Sequence, residues 1–130
     1  MEISKKDMKV LLKSQQGEID AVPMYNALAK VVKDPKDAEA FKQLAKEEGH
    51  HASVFHQLTQ TVLQPKMTKA ILLPILYKVF GKKLVYTAIS KAEYAAEKNY
   101  APLADKFPTV QSVKADERRH GDIVKGLLNK

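Results

Sequence analysis

The sequence predicts an all-α protein in which two helical hairpins, joined by a crossover with a short extra helix, form a four-helix bundle. Apolar residues recur at helical spacing, Pro and Gly mark breaks between the helical stretches, and no stretch alternates as a strand would. The 130 residues include 45% hydrophobic residues and only five Gly. This composition and length predict one domain with its own core, residues 1–130.

The first hairpin is predicted from signals at the helix ends. Ser4, with Asp7 three residues on, predicts the N-cap of a first helix that ends near residue 33. Asp34 and Pro35 predict the N-cap and first position of a second helix, which continues to residue 64.

The crossover and the second hairpin follow in the same way. A short helix is predicted from Thr68 to Phe80, closed by Gly81. A further helix then runs from about residue 82 to 101, and Pro102 and Pro108 frame the next loop. Thr109 is predicted to cap a last helix that reaches the C-terminus.

Composition excludes several classes of site. The chain has no Cys, which excludes disulfides, zinc–thiolate sites, iron–sulfur clusters and cysteine catalysis. The net charge is +7, but the basic residues are spread over every predicted helix and no nucleic-acid motif is found. We therefore expect no specific nucleic-acid partner. Residues 1–5 lack the apolar core of a signal peptide, which predicts a cytoplasmic location.

Four Glu and two His residues repeat in the order Glu, Glu-x-x-His in each half of the chain. They are Glu18, Glu48 and His51 in the first half, and Glu93, Glu117 and His120 in the second. Residues three apart share a helix face, so each Glu-x-x-His unit converges on one point. Four carboxylates and two imidazoles suit two ions of iron or manganese, and carboxylates buried together without cations would repel one another. The pattern predicts a two-metal site in the bundle core.

The phase of the second helix indicates which residues face that site. The stripe through Glu48 and His51 is otherwise apolar and contains Phe41, Leu44, Phe55, Leu58 and Val62. The neighbouring stripe through Glu47 and His50 is more polar. We therefore expect Glu48 and His51 to point inward, and Glu47 and His50 to point outward or sideways.

Three further positions accompany the pattern. Tyr25 and Tyr100 each follow a single upstream Glu by seven residues. Glu97 lies one turn after Glu93, and from spacing alone it is either a further ligand or a solvated residue. His56 lies off the pattern and is expected to serve the surface or the packing.

The crossover, residues 67–81, is the most hydrophobic stretch of the chain. It is too short and too interrupted to span a bilayer. Three roles remain open: covering one end of the bundle, forming a dimer contact, or resting on a membrane surface with help from nearby Lys residues.

The residues resemble the rubrerythrin-like proteins of the ferritin-like superfamily. The resemblance covers nearly the whole chain and is carried by residues 16–25, 45–52, 93–100 and 116–121, the last with the sequence Asp-Glu-Arg-Arg-His-Gly. It implies a ferritin-like bundle with two iron ions, although manganese or a mixed pair is also considered. The implied iron ligands are Glu18, Glu48, His51, Glu93, Glu117 and His120.

The same resemblance implies roles for the neighbouring side chains. Tyr25 and Tyr100 would hydrogen-bond ligand carboxylates, and Glu97 would be the additional carboxylate near the iron. Typical rubrerythrins also carry a rubredoxin-like domain with four Cys that delivers electrons. Because this chain has no Cys, we expect an external electron donor, either rubredoxin-like or a flavoprotein.

The resemblance favours a non-haem diiron oxidoreductase that acts in oxidative stress and reduces hydrogen peroxide or dioxygen, and we expect it to be a homodimer. Glu48 and Glu117 would bridge the ions, Glu18 and Glu93 would be terminal, and each His would hold one ion. Two alternatives use the same residues. One is a ferroxidase that handles iron, and the other is a metal-stabilised interaction or membrane-docked protein.

Overall fold

All regular secondary structure in residues 2–129, the part that the computed structural model describes, is helical. The five helices are α1 (Lys5–Val31), α2 (Pro35–Thr59), α3 (Thr68–Phe80), α4 (Lys82–Lys106) and α5 (Val110–Leu127). Helix α1 packs against α2, α4 packs against α5, and α3 lies on α1 and α4. The prediction of an all-α bundle of two hairpins with a crossover helix is confirmed.

Several predicted helix ends are also found. The Ser4 side chain accepts a hydrogen bond from the Asp7 backbone nitrogen at 3.1 Å. The Asp34 side chain caps α2 by accepting from the backbone nitrogen of Lys36 at 2.8 Å. Helix α3 ends at Gly81, whose φ of +86° suits glycine.

Helix α2 ends earlier than the predicted residue 64. Gln60 adopts a left-handed conformation, and the chain is irregular from residue 60 to 67. Contacts with α1 provide a physical reason. Thr59 donates to the Gln15 side chain at 2.6 Å, and the Gln15 amide donates to the Thr61 carbonyl at 2.8 Å. Gln15 thus holds Thr59 and Thr61 in a turn, which favours the end of α2 at this point.

Helix α4 continues through Pro102, where a loop was predicted. Pro102 removes one backbone donor, but Leu103, Ala104 and Phe107 beyond it are buried in a core cluster that favours continuing the helix. Thr109 precedes α5 as predicted, although its side chain makes no capping hydrogen bond within the described chain. The backbone turns instead through a bond from Val110 to the Phe107 carbonyl at 2.9 Å.

Two apolar clusters divide the core along the bundle. One contains Tyr25, Leu28, Phe41, Tyr86 and Val124, and the other contains Leu11, Phe55, Leu103, Val110 and Val113. On α1, α2, α4 and α5, the six residues of the Glu and His pattern lie in the sequence between members of the two clusters. The fold therefore places these polar side chains in one layer between two apolar cores.

Candidate metal centre

The structure brings the six predicted ligands together in the bundle interior. Each has at most 7% of its surface exposed, although all six are polar or charged. Helices α1 and α4 each provide one Glu, whereas α2 and α5 each provide a Glu and a His one turn apart. They occupy the buried stripes of their helices, as the apolar phase predicts.

The first imidazole contacts three of the carboxylates. His51 Nδ1 lies 3.2 Å from Glu18 Oε1, 3.3 Å from Glu48 Oε1 and 3.0 Å from Glu117 Oε1. These atoms come from three different helices. His51 and these three carboxylates therefore form one half of the polar cluster.

The second imidazole has a related set of neighbours. His120 Nδ1 lies 2.9 Å from Glu48 Oε1, 3.6 Å from Glu93 Oε2 and 3.7 Å from Glu117 Oε1. Glu48 and Glu117 thus contact both imidazoles, whereas Glu93 is found beside His120 alone. The two rings stack with centroids 5.4 Å apart. This arrangement divides the cluster into two halves that share two carboxylates.

One atom of each of these six side chains is buried without a hydrogen-bond partner in the described chain. The six atoms are Glu18 Oε1, Glu48 Oε1, His51 Nδ1, Glu93 Oε2, Glu117 Oε1 and His120 Nδ1. Buried polar atoms are nearly always paired in folded proteins, so six together require an explanation. Carboxylate oxygens and imidazole nitrogens are ligands of iron and manganese. Four of the residues, Glu48, His51, Glu117 and His120, offer atoms within 4.8 Å of one another, so the cluster could hold metal.

Protonation equilibria reflect the crowding of acidic groups. Burial, together with the charges of Glu18, Glu48 and Glu93, raises the pKa of Glu117 to about 11. Burial opposes the charged form of Glu48 too, but close contacts with His120 and with the other imidazole lower its pKa. Protons therefore offset part of the negative charge, a role that bound cations can take over.

The imidazoles hold protons for the same reason. Burial favours a neutral His120, but its contacts with Glu48 and Glu93 raise the pKa to about 10. Burial likewise opposes the charged form of His51, and contacts with Glu117 and Glu18 raise its pKa far above the ordinary value. Both rings must lose a proton from Nδ1 before that atom can bind a metal ion.

Two acidic residues outside the predicted set contact the Nε2 atoms of the two imidazoles. Asp116 Oδ2 lies 2.8 Å from His51 Nε2, and Glu47 Oε1 lies 2.9 Å from His120 Nε2. Arg119 contacts both of these carboxylates. The expectation that Glu47 points outward or sideways is therefore incomplete, because its carboxylate reaches a buried ring across the bundle.

A sequence signal for these two residues was present. Each one immediately precedes the Glu of a Glu-x-x-His unit, so the repeated unit is acidic residue, Glu, two residues, His. The contacts run crosswise: the acidic residue of each unit binds the His of the other. A carboxylate on Nε2 orients the ring and favours Nδ1 as the ligand atom.

The remaining predicted site residues differ in their placement. Tyr25 donates a 2.6 Å hydrogen bond to Glu93 Oε1. Tyr100 is buried, and burial and the charge of Glu18 raise its pKa, but its hydroxyl makes no hydrogen bond to a carboxylate within residues 2–129. Glu97 is partly exposed, and its carboxylate lies 3.6 Å from the Arg118 guanidinium.

A cavity of about 410 Å³ reaches the carboxylates from between α1 and α4. Small residues of both helices line it, among them Gly17, Ala21, Ala92 and Ala96. Lys69 and Leu72 of α3 lie on its wall, and Glu18, Glu48, Glu93 and Glu117 lie along it. A small molecule could therefore reach the acidic cluster along a mostly apolar path.

Comparison with known proteins agrees with this geometry. Residues 9–128 match the family model described as Rubrerythrin. The chain is 31% identical over 134 aligned residues to reverse rubrerythrin-1 of Clostridium acetobutylicum, and the alignment covers 98% of this chain and 69% of that protein. No solved structure gives a significant match. Both findings confirm the resemblance inferred from the motifs, and the chain belongs to the rubrerythrin family of ferritin-like diiron proteins.

Proposed function

We propose that this chain reduces hydrogen peroxide at a diiron centre with electrons from an external donor. Membership of the rubrerythrin family supports a diiron oxidoreductase-type protein. The observation that carries the proposal is the cluster of six unpaired buried atoms, which contains two imidazoles and two shared carboxylates. A buried cluster of this kind suits two cations that act together.

The proposed ligands divide between the two ions according to their contacts. Glu18 and His51 would hold one ion, Glu93 and His120 would hold the other, and Glu48 and Glu117 would be shared. Two bound ferrous ions would supply two electrons in total. Reduction of one hydrogen peroxide to two waters consumes these two electrons and two protons, which would come from solvent. The four carboxylates balance the charge of two divalent cations.

The protein's own residues would orient the centre and control access to it. Asp116 and Glu47 hold the two rings so that Nδ1 faces the cluster. The Tyr25 hydroxyl directs its proton at Glu93 Oε1, and burial raises the Tyr25 pKa, so the hydroxyl stays protonated. The cavity of about 410 Å³ is large enough to admit a molecule as small as hydrogen peroxide, and most of its wall is apolar.

A source of electrons outside residues 1–130 is part of the proposal, because these residues contain no Cys for a rubredoxin-type iron site. We propose a rubredoxin-like protein or a flavoprotein in this role. We also propose that the protein is a homodimer, since reduction of peroxide needs no storage shell. Dioxygen is the competing oxidant at the same site.

Anaerobic loading with Fe(II), followed by stopped-flow mixing with hydrogen peroxide or dioxygen, tests the proposal. We expect two irons per chain and much faster oxidation by peroxide. The double variant Glu48→Ala/Glu117→Ala should bind no pair of ions, whereas the control Glu97→Gln should bind two. Faster reaction with dioxygen and uptake beyond two irons per chain would overturn the proposal in favour of iron storage.

A further inference from the structure

Helix α3 is apolar on the side that faces the bundle and also on the side that faces solvent. Toward the bundle, Ala70 is buried and Leu73 and Leu76 pack against the core. Toward solvent, Ile71 is 63% exposed and Val79 is 67% exposed. A helix that is apolar on two opposite sides is normally covered on both, so the solvent side of α3 is suited to a partner.

The exposed apolar surface extends beyond these two residues. We define the outer α3 face as Met67, Ile71, Leu72, Ile75, Val79, Phe80 and Leu84, each between 46% and 67% exposed. The positions Met67, Ile71, Ile75 and Val79 repeat every four residues and therefore form a continuous stripe. A contiguous exposed apolar patch on a soluble domain marks a contact surface.

The segment that carries this face has basic but no acidic side chains, and Asp20 of α1 is an acidic neighbour that accepts a hydrogen bond from the Lys66 backbone nitrogen at 2.7 Å. Residues 60–92 contain no Asp or Glu and six Lys, namely Lys66, Lys69, Lys78, Lys82, Lys83 and Lys91. Five of them, Lys66, Lys69, Lys78, Lys83 and Lys91, are exposed, and none of these five has an ion pair in the described chain. The partner of this face should therefore be apolar and negatively charged at its rim.

A second copy of the chain fits this requirement poorly. A symmetric contact through the outer α3 face would bring the same Lys residues of two chains close together, and like charges would repel. An anionic lipid surface instead offers acyl chains to the apolar side chains and phosphate groups to the Lys residues. Lys side chains can lay their methylene groups along apolar surface and keep the ammonium group at the lipid headgroups.

We propose that the outer α3 face docks the protein on an anionic lipid surface. The contact is peripheral, since no helix in the described residues is long and apolar enough to cross a membrane. Lys69 and Leu72 also lie on the wall of the cavity that reaches the acidic cluster, so the cavity opens beside this face. The proposal goes beyond peroxide reduction and does not depend on bound metal.

Co-sedimentation with vesicles tests the docking. The full chain is mixed with vesicles of phosphatidylcholine alone or with added phosphatidylglycerol, at low and at high salt. We expect binding to the anionic vesicles, weaker binding at high salt, and little binding to phosphatidylcholine. Absence of binding to the anionic vesicles at low salt would overturn the proposal.

Matched variants separate this face from general charge attraction. Ile71→Ser/Ile75→Ser should weaken binding about tenfold or more, whereas the exposed Val10→Ser on α1 should not change it. Lys78→Gln/Lys83→Gln should also weaken binding about tenfold or more. The control Lys9→Gln/Lys13→Gln removes the same charge from the start of α1 and should have a smaller effect.

The Lys variants change exposed side chains only, so they test the proposal even if the double Ser variant folds poorly. Equal loss of binding in both Lys pairs would overturn the assignment to α3. Sedimentation equilibrium provides a second check. A dimer that dissociates in Ile71→Ser/Ile75→Ser, with no vesicle binding by the wild type, would show that a second copy covers the face.

Discussion

The variant Glu117→Gln separates the cost of burying an acidic group from the benefit of binding metal. Glu117 is buried and contacts both imidazoles. Because burial and neighbouring charges raise its pKa to about 11, its carboxyl group holds a proton at pH 7 in the metal-free protein. The amide has the same shape and is also uncharged. We therefore expect the metal-free variant to lie within about 1 kcal/mol of the wild type in unfolding free energy.

Added metal should stabilise the wild type against unfolding much more than it stabilises Glu117→Gln. At a free metal concentration of 100 times Kd, one bound ion adds about 2.7 kcal/mol to the unfolding free energy. For a domain of this size that corresponds to a rise in Tm of roughly 10 °C. Glu117 contacts both halves of the cluster, so its replacement should weaken both ion positions. The variant should lose most of the rise at the same metal concentration.

The assay is thermal unfolding by circular dichroism, with and without Mn(II) or anaerobic Fe(II), together with metal analysis of the desalted protein. Glu97→Gln is the matched control, since Glu97 is partly exposed and its ion pair in the described chain is with Arg118. It should retain two ions per chain and the full rise in Tm. Two ions and an unchanged rise in Glu117→Gln would refute the assignment of Glu117 as a shared ligand.

Three other predictions concern the shell of the site and the packing of α5. Asp116→Asn and Glu47→Gln should each lower metal affinity about 10- to 100-fold in competition titrations, because the rings lose the carboxylates on Nε2. Metal binding should release protons, because both imidazoles have raised pKa values and must lose a proton to bind metal. Metal affinity should therefore fall as the pH falls. Calorimetry in buffers of different ionisation enthalpy measures the number of protons released. Gly121→Ala should lower the free energy of unfolding by about 1–3 kcal/mol in urea, because a Cβ there would lie 2.6 Å from the Tyr94 ring. In the control Gly126→Ala, the Cβ would meet open space, so the free energy of unfolding should not fall.

The bundle and the contents of its polar layer could be predicted because helical phase determines which residues share a buried stripe. Glu18 and Glu93 each interrupt such a stripe, and the structure buries both. Helix ends were predictable where the signal is local, as at Ser4 and Gly81. The assignment of the six residues as metal ligands remains a prediction.

The incorrect helix ends depend on contacts that local signals do not contain. The end of α2 depends on Gln15, which is 44 residues from its partner Thr59 in the sequence. The continuation of α4 depends on burying Leu103 and Phe107 beyond a proline. Both features follow from packing between helices, whereas a sequence signal such as Pro102 describes only the local backbone.

The crosswise contacts of Glu47 and Asp116 link the two hairpins at the site. The acidic residue on α2 binds the His of α5, and the acidic residue on α5 binds the His of α2. Glu48 likewise contacts both imidazoles, one from each hairpin. The polar contacts of each imidazole therefore include side chains from the other hairpin. Because the proposed ligands of each ion come from both hairpins, metal binding should stabilise the association of the hairpins as well as the site itself.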